Sequence, residues 1–333
     1  MPRLSIKTQQ SLQFPAKGKR EFDRAAEIAT GWPHPLRAVP VGRWSPKRDF
    51  ENKAALHLKF VIMSLRHSLV ALILIGTALM LTACQNQFVY YPEKGSRKEL
   101  ESLARNAGIV PWEDAEGRYL GWKTEHPEPP PNRIVFFHGN AGHALHRTYF
   151  ADGFRALDKG SLWEVHLFEY PGYGAREGKP GERSFQEASV AAFRELKADD
   201  DRPVFLAGES IGSGPATHVA GCFPGEVAGI FLITPFTNLA DVGRHHIGRA
   251  LVALFLRDRY DNEAALQDYS GPVAFLLAGR DEVVPPLLGE KLYEGYPGPK
   301  KLWIQKQAGH NTLDYDPRAE WWREVSDFLL EGG

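Results

Sequence analysis

The sequence predicts an α/β protein with a mainly parallel, eight-stranded sheet covered by helices on both faces. Two observations carry that prediction. Four segments, IVFFHG, VFLAGES, GIFLIT and VAFLLAG, are continuous apolar runs rather than alternating ones, as expected of strands buried on both faces. Stretches with helical spacing separate them, so strand and helix alternate along the chain. Composition agrees: apolar residues make up 43% of the 333 residues and charged residues 24%, which excludes a collagen, a coiled coil or a wholly disordered chain.

The first third does not belong to that alternation. Residues 1–62 hold 12 Lys or Arg and 5 Asp or Glu, a balance of +7, with several prolines and too little apolar periodicity to build a core. Residues 63–83, MSLRHSLVALILIGTALMLTA, place Arg66 ahead of an apolar run and then small residues before Cys84. That is the order of a secretory signal peptide. The closing Leu81-Thr82-Ala83-Cys84 resembles the lipobox of bacterial lipoproteins, which implies lipidation of Cys84. An uncleaved single-pass anchor is the alternative, because the uncharged span from His67 to Pro92 is long enough to cross a bilayer. A buried helix is a third reading, although no polar face interrupts the run. The 62 residues upstream read either as a mis-called start, with Met63 as the true one, or as a cytoplasmic tail whose positive charge suits the positive-inside rule. Either way the remaining chain is expected at a membrane, on the side away from the cytoplasm: the periplasm or the cell exterior.

Residues 84–333 form the third segment and hold the predicted domain. Strands are expected at Phe88 to Tyr91, Arg118 to Lys123, Arg133 to Phe137, Glu164 to Glu169, Val204 to Ala207, Gly229 to Ile233, Val273 to Ala278 and Lys301 to Gln305. Helices are expected at Arg97 to Ala107, Ala144 to Lys159, Ser184 to Ala198, Gly212 to Ala220, Ala240 to Leu256, Leu287 to Tyr296 and Pro317 to Leu330. The proline-rich EPPPN segment fits neither element and reads as a surface connection. The formal net charge of the whole chain is -1; the first 62 residues contribute +7 and Arg66 adds one, so Cys84 to Gly333 carries -9. Such a domain lacks the basic excess that a nucleic-acid partner requires. Two cysteines, Cys84 and Cys222, exclude a disulfide framework and a four-cysteine zinc site.

Gly208-Glu209-Ser210-Ile211-Gly212 follows a buried strand and opens a helix. A nucleophile on a sharp strand-to-helix turn needs small residues two positions to either side, because side chains there meet neighbouring backbone. The motif alone is weak, since a glycine-rich turn with a solvated serine has the same letters. Its partners strengthen it. Asp281 stands just after the strand VAFLLAG, with Glu282 as its competitor, and His310 just after the strand KLWIQ. Ser210, Asp281 and His310 therefore meet at the C-terminal edge of a parallel sheet, where open α/β sheets bind ligands. The loop after IVFFHG, His138 to Gly142, is positioned to supply a backbone donor for a developing oxyanion. Asn140 is the first choice, Ala141 the alternative, and the amide of Ile211 the second donor; His138 is expected to hold the loop by hydrogen bonds.

With these residues, the stretch from Phe88 to Leu330 resembles the α/β-hydrolase superfamily, in particular a branch with an HGN loop, a YPGYG loop (Tyr170 to Gly174) and a minimal cap. Glu169 departs from that branch, which usually has Asp there. The resemblance implies the α/β-hydrolase fold and a serine hydrolase acting on acyl esters, thioesters or amides, with neither metal nor organic cofactor. Its partners would be a small-molecule acyl substrate and a membrane. Peptidase or amidase activity, acyl transfer and a non-catalytic lipoprotein scaffold stay open as alternatives. Other features are read as structural. His245-His246 is expected on a helix surface, Cys222 as a buried inert thiol, and the apolar Ile247 to Leu256 as packed on the sheet, with a lid as its alternative. GAREGK fails as a phosphate loop because Pro180 follows the lysine.

Overall fold

The computed structural model describes residues 46–83 and 89–332. Helix α1, Pro46–Ala83, runs through Met63 without a break. Its stretch Ala55–Thr77 is long and apolar enough to cross a membrane, by length and composition. Cys84 lies outside the described residues.

The folded domain is built on ten strands and nine further helices among the described residues. The strands are β1 (Tyr91–Pro92), β2 (Ile109–Glu113), β3 (Tyr119–Thr124), β4 (Asn132–Phe137), β5 (Ala141–Gly142), β6 (Trp163–Phe168), β7 (Val204–Glu209), β8 (Val227–Ile233), β9 (Val273–Ala278) and β10 (Lys300–Gln305). The helices are α2 (Arg97–Asn106), α3 (Thr148–Arg155), α4 (Glu182–Asp199), α5 (Ser213–Cys222), α6 (Leu239–Ile247), α7 (Arg249–Phe255), α8 (Asn262–Ala265), α9 (Pro286–Gly295) and α10 (Glu320–Glu331).

Eight strands form one sheet in the order β10-β9-β8-β7-β4-β6-β3-β2, parallel except that β3 runs antiparallel to both its neighbours. The continuous apolar runs have the expected cause. Val135, Phe137, Leu206, Leu232 and Phe275 pack on one face, against Phe185 and Phe193 of α4, Val219 of α5 and Leu292 of α9. The alternate residues Ile134, Phe136, Phe205, Phe231 and Leu276 pack on the other, against Phe150 and Phe154 of α3 and Trp322 and Leu329 of α10. Each such fully buried side chain contributes about 1.5–3 kcal/mol relative to exposure. The sheet is thereby held rigidly from both sides. Its strand order reverses beside β4, which opens a crevice at the C-terminal ends of β4 and β7.

The membership of the sheet differs from expectation at one place. The predicted strand from Phe88 to Tyr91 is not part of it: Phe88 lies outside the described residues, and Tyr91–Pro92 instead pairs with Ala141–Gly142 in a separate two-stranded sheet. The eighth member is β2, IVPWE, whose Pro111 argues against a strand. As the outermost strand, β2 tolerates a residue with no N–H to donate. The helix expected from Ala240 to Leu256 is two helices, broken at Gly248, which adopts φ 80°. That from Ala144 to Lys159 is an α-helix, α3, flanked by 3-10 turns. Cys222, the last residue of α5, is exposed rather than buried.

Candidate active site

Ser210 stands at the turn between β7 and α5 with φ 54°. A non-glycine residue there is strained, and it persists only where the surroundings enforce it. Here they do. A Cβ at Gly208 would run into the carbonyl of Gly212, and one at Gly212 into the carbonyl of Phe137. Behind the turn, Ser213 Oγ donates to the Ser210 carbonyl at 2.6 Å and is itself held by Asn262 Nδ2 at 2.9 Å, all buried.

The loop after β10 brings His310 Nε2 to 3.1 Å from Ser210 Oγ, while His310 Nδ1 lies 2.7 Å from Asp281 Oδ2. The other oxygen, Asp281 Oδ1, accepts the amides of Val283 at 2.8 Å and Val284 at 2.7 Å. With only 2% of its side chain exposed, Asp281 has its orientation fixed by the backbone. Glu282 turns the other way and accepts the backbone amide of His310 at 3.4 Å, away from the imidazole. The structure thus brings Ser210, His310 and Asp281 into one hydrogen-bonded chain.

Asn140 and Ile211 both line the cavity in front of Ser210. The Asn140 side chain is pinned at both ends: Nδ2 donates to the Val89 carbonyl, and Oδ1 accepts the Tyr173 hydroxyl at 3.2 Å. Tyr170, from the same YPGYG loop, donates to the His138 carbonyl at 2.8 Å. His138 Nδ1 lies 2.7 Å from the Gly139 carbonyl, so this histidine is engaged in its own loop. Glu169 fills its position by accepting the Ala144 amide at 3.1 Å, which fixes the far end of the loop.

Glu209 is the residue that sequence reasoning missed. Its carboxylate accepts the Gly139 amide at 3.0 Å, Arg147 Nε at 2.9 Å, the Tyr149 hydroxyl at 2.7 Å and the Tyr315 hydroxyl at 3.2 Å. Burial pushes its pKa up, but the Arg147 charge and these hydrogen bonds outweigh it and hold the carboxyl below its ordinary value. The same carboxylate raises Arg147 against the opposite pull of burial, and burial raises both tyrosines. The sequence signal was an acidic residue inside a buried motif, where a charge needs a partner.

Before this chain of residues opens a cavity of about 410 Å³. Its walls are mainly apolar, with Phe236, Leu239, Val242, Leu256 and Val284 among them. Ile247 and Leu256, the two ends of the apolar segment 247–256, both line the cavity. His245 and His246 are both exposed on α6, and His246 also lines the cavity, its Nε2 2.7 Å from the Val283 carbonyl.

Comparison with known proteins fits this architecture. A family model described as the alpha/beta hydrolase family matches residues 134–330. An uncharacterized protein of Mycobacterium tuberculosis is 30% identical over 249 residues, covering 73% of this chain and 86% of that protein. The lysophosphatidylserine lipase ABHD12 of Xenopus tropicalis is 29% identical over 203 residues, covering 55% of this chain and only 52% of its own length. The Pyrococcus furiosus esterase Pf2001 shares the fold with a TM-score of 0.55 at 17% identity, over 74% of this chain and 99% of the esterase. Sheet order, strand-to-helix turn and sequence match converge, and the chain belongs to the alpha/beta hydrolase family.

Proposed function

We propose that this protein is a membrane-tethered serine hydrolase that cleaves acyl esters, thioesters or lipid-derived esters through an acyl-enzyme. The observation that carries this reading is the chain Asp281–His310–Ser210 facing an apolar cavity. His310 Nδ1–H donates to Asp281, which leaves Nε2 as the base that takes the Ser210 proton as Oγ attacks the acyl carbonyl. Asp281 holds the imidazole in place and stabilises the imidazolium. The amides of Ile211 and Asn140 receive the developing oxyanion, donors fixed in advance by the strained turn and by the pinned Asn140 side chain. His310 then returns the proton to the leaving group, and water repeats the sequence to release the acid.

Two features support a lipid-derived substrate. The cavity is apolar, and Ile247 and Val283 line it while remaining 52% and 39% exposed, which gives its mouth an apolar rim. The similarity to a lysophosphatidylserine lipase points the same way. The stretch Ala55–Thr77 supports attachment to a membrane, either as the signal segment ahead of a lipidated Cys84 or, alternatively, as an uncleaved anchor. On this reading the catalytic domain faces the periplasm or cell exterior. A hydrolysis panel of p-nitrophenyl esters, monoacylglycerol and lysophospholipid tests the activity. Turnover by the wild type and none by Ser210→Ala is expected; wild-type turnover in the variant overturns the assignment.

A further inference from the structure

Beside the loop that carries Asn140, Glu93, His143 and His146 each offer one ligand atom, and the three atoms lie within 4.8 Å of one another. The imidazoles of His143 and His146 lie 3.8 Å apart by ring centre, and His146 Nδ1 is 3.9 Å from Glu93 Oε2. His143 is 3% exposed, yet its Nδ1 has no hydrogen-bond partner. A buried polar atom left without a partner costs stability, and such atoms mark strain or a missing ligand. Nothing in the spacing of the sequence reveals this group, because Glu93 is far from the two histidines in the chain.

We propose that Glu93, His143 and His146 form a binding site for a divalent transition cation of the zinc type. Two imidazoles and one carboxylate suit zinc, cobalt, nickel or copper, whereas magnesium and calcium prefer sets made of oxygen alone. Bond lengths of about 2.0–2.2 Å require the ligand atoms to draw closer together than they now stand. The two outer side chains have that freedom: His146 is 44% and Glu93 60% exposed, so both can close on a fixed His143. Three protein ligands leave a fourth position to water.

The location gives the cation a mechanical effect. In the two-stranded sheet Tyr91 pairs with Ala141 and Pro92 with Gly142, and Glu93 and His143 are the next residue on each strand. The Glu93 amide already donates to the Gly142 carbonyl at 2.9 Å. A cation held there ties the ends of both strands together and braces the loop in front of Ser210. It also stabilises the native state, because the unfolded chain does not assemble the site.

The test uses untagged full-length protein in detergent, stripped with a chelator, and zinc(II) titrated by calorimetry with cobalt(II) followed in the visible spectrum. One equivalent of zinc, cobalt d–d bands without a thiolate charge-transfer band, and a zinc-dependent rise in Tm are expected. Glu93→Gln and His146→Gln change exposed side chains and leave the fold intact; each weakens binding by at least about tenfold and abolishes the rise in Tm. The proposal is overturned if the wild type shows no saturable binding, or if both variants bind as the wild type does. It is equally overturned if binding disappears in a Cys84→Ser, Cys222→Ser protein, since Cys222 Sγ lies 3.6 Å from His218 Nε2 and offers a competing site.

Discussion

Glu209 accepts the backbone amide of Gly139 at 3.0 Å, so the residue just before Ser210 directly holds the loop that carries Asn140. Strand β7 thereby positions two parts of the site at once. Its last residue fixes the loop on one side, and the turn that follows presents the serine on the other. Arg147, Tyr149 and Tyr315 converge on the same carboxylate and bind α3 and the segment beyond His310 to that strand end.

Removing this carboxylate strands a charge. Arg147 is 17% exposed and Glu209 14%, so Glu209→Leu leaves a largely buried guanidinium unpaired at a cost of about 3 kcal/mol. Chemical denaturation is expected to show that loss, with a smaller one for Glu209→Gln, which keeps the shape. If Glu209→Gln folds, kcat should fall more than KM rises, because the oxyanion loop rather than the apolar cavity is disturbed.

The same group sets an acid limit. Its folded-state pKa is depressed, so its contribution is fully present above the unfolded carboxylate pKa of about 4.3 and is lost as pH falls through the lower folded value. Wild-type stability should therefore fall faster than that of Glu209→Gln below about pH 4.3. Parallel denaturation curves for the two proteins across that range would contradict the assignment.

Neighbouring acids should differ sharply. Asp281→Asn removes the acceptor for His310 Nδ1–H and is expected to lower kcat/KM by on the order of 10³–10⁴. Glu282→Gln alters only a weak contact to the His310 amide and should retain most activity. Steady-state kinetics on one activated ester decides between them.

Chain-length preference should follow the cavity. Each methylene buried in it contributes about 0.8 kcal/mol, so kcat/KM should climb by roughly fourfold per methylene until the cavity is full. Val242 lines the wall, and Val242→Trp is expected to move the optimum to shorter esters with little change for the shortest. An unchanged optimum would show that the acyl chain lies elsewhere.

The strands of the sheet centre were legible in the sequence because burial on both faces leaves no polar alternation to misread. Ser210 and Asp281 were legible for a related reason, since each follows such a strand at its C-terminal end, and His310 follows the outermost strand β10 at the same edge. What was hidden depends on tertiary position. Pro111 disqualifies a central strand but not the outermost one, and Gly248 inside an apolar stretch does not show whether it breaks the helix. The Glu209 cluster joins residues 139, 147, 149 and 315, which no local spacing connects. Asp281 is preferred over Glu282 already in the sequence, as the nearer to the strand end, and the Val283 and Val284 amides hold its carboxylate toward the imidazole.

Treatment of the full-length protein with a fluorophosphonate, followed by mass mapping of the adduct, tests the role of Ser210 most directly. One phosphonyl group on Ser210, absent from Ser210→Ala and formed far more slowly in His310→Ala, is the expected result. A folded protein that stays unlabelled, or that carries the group on another residue, would contradict it.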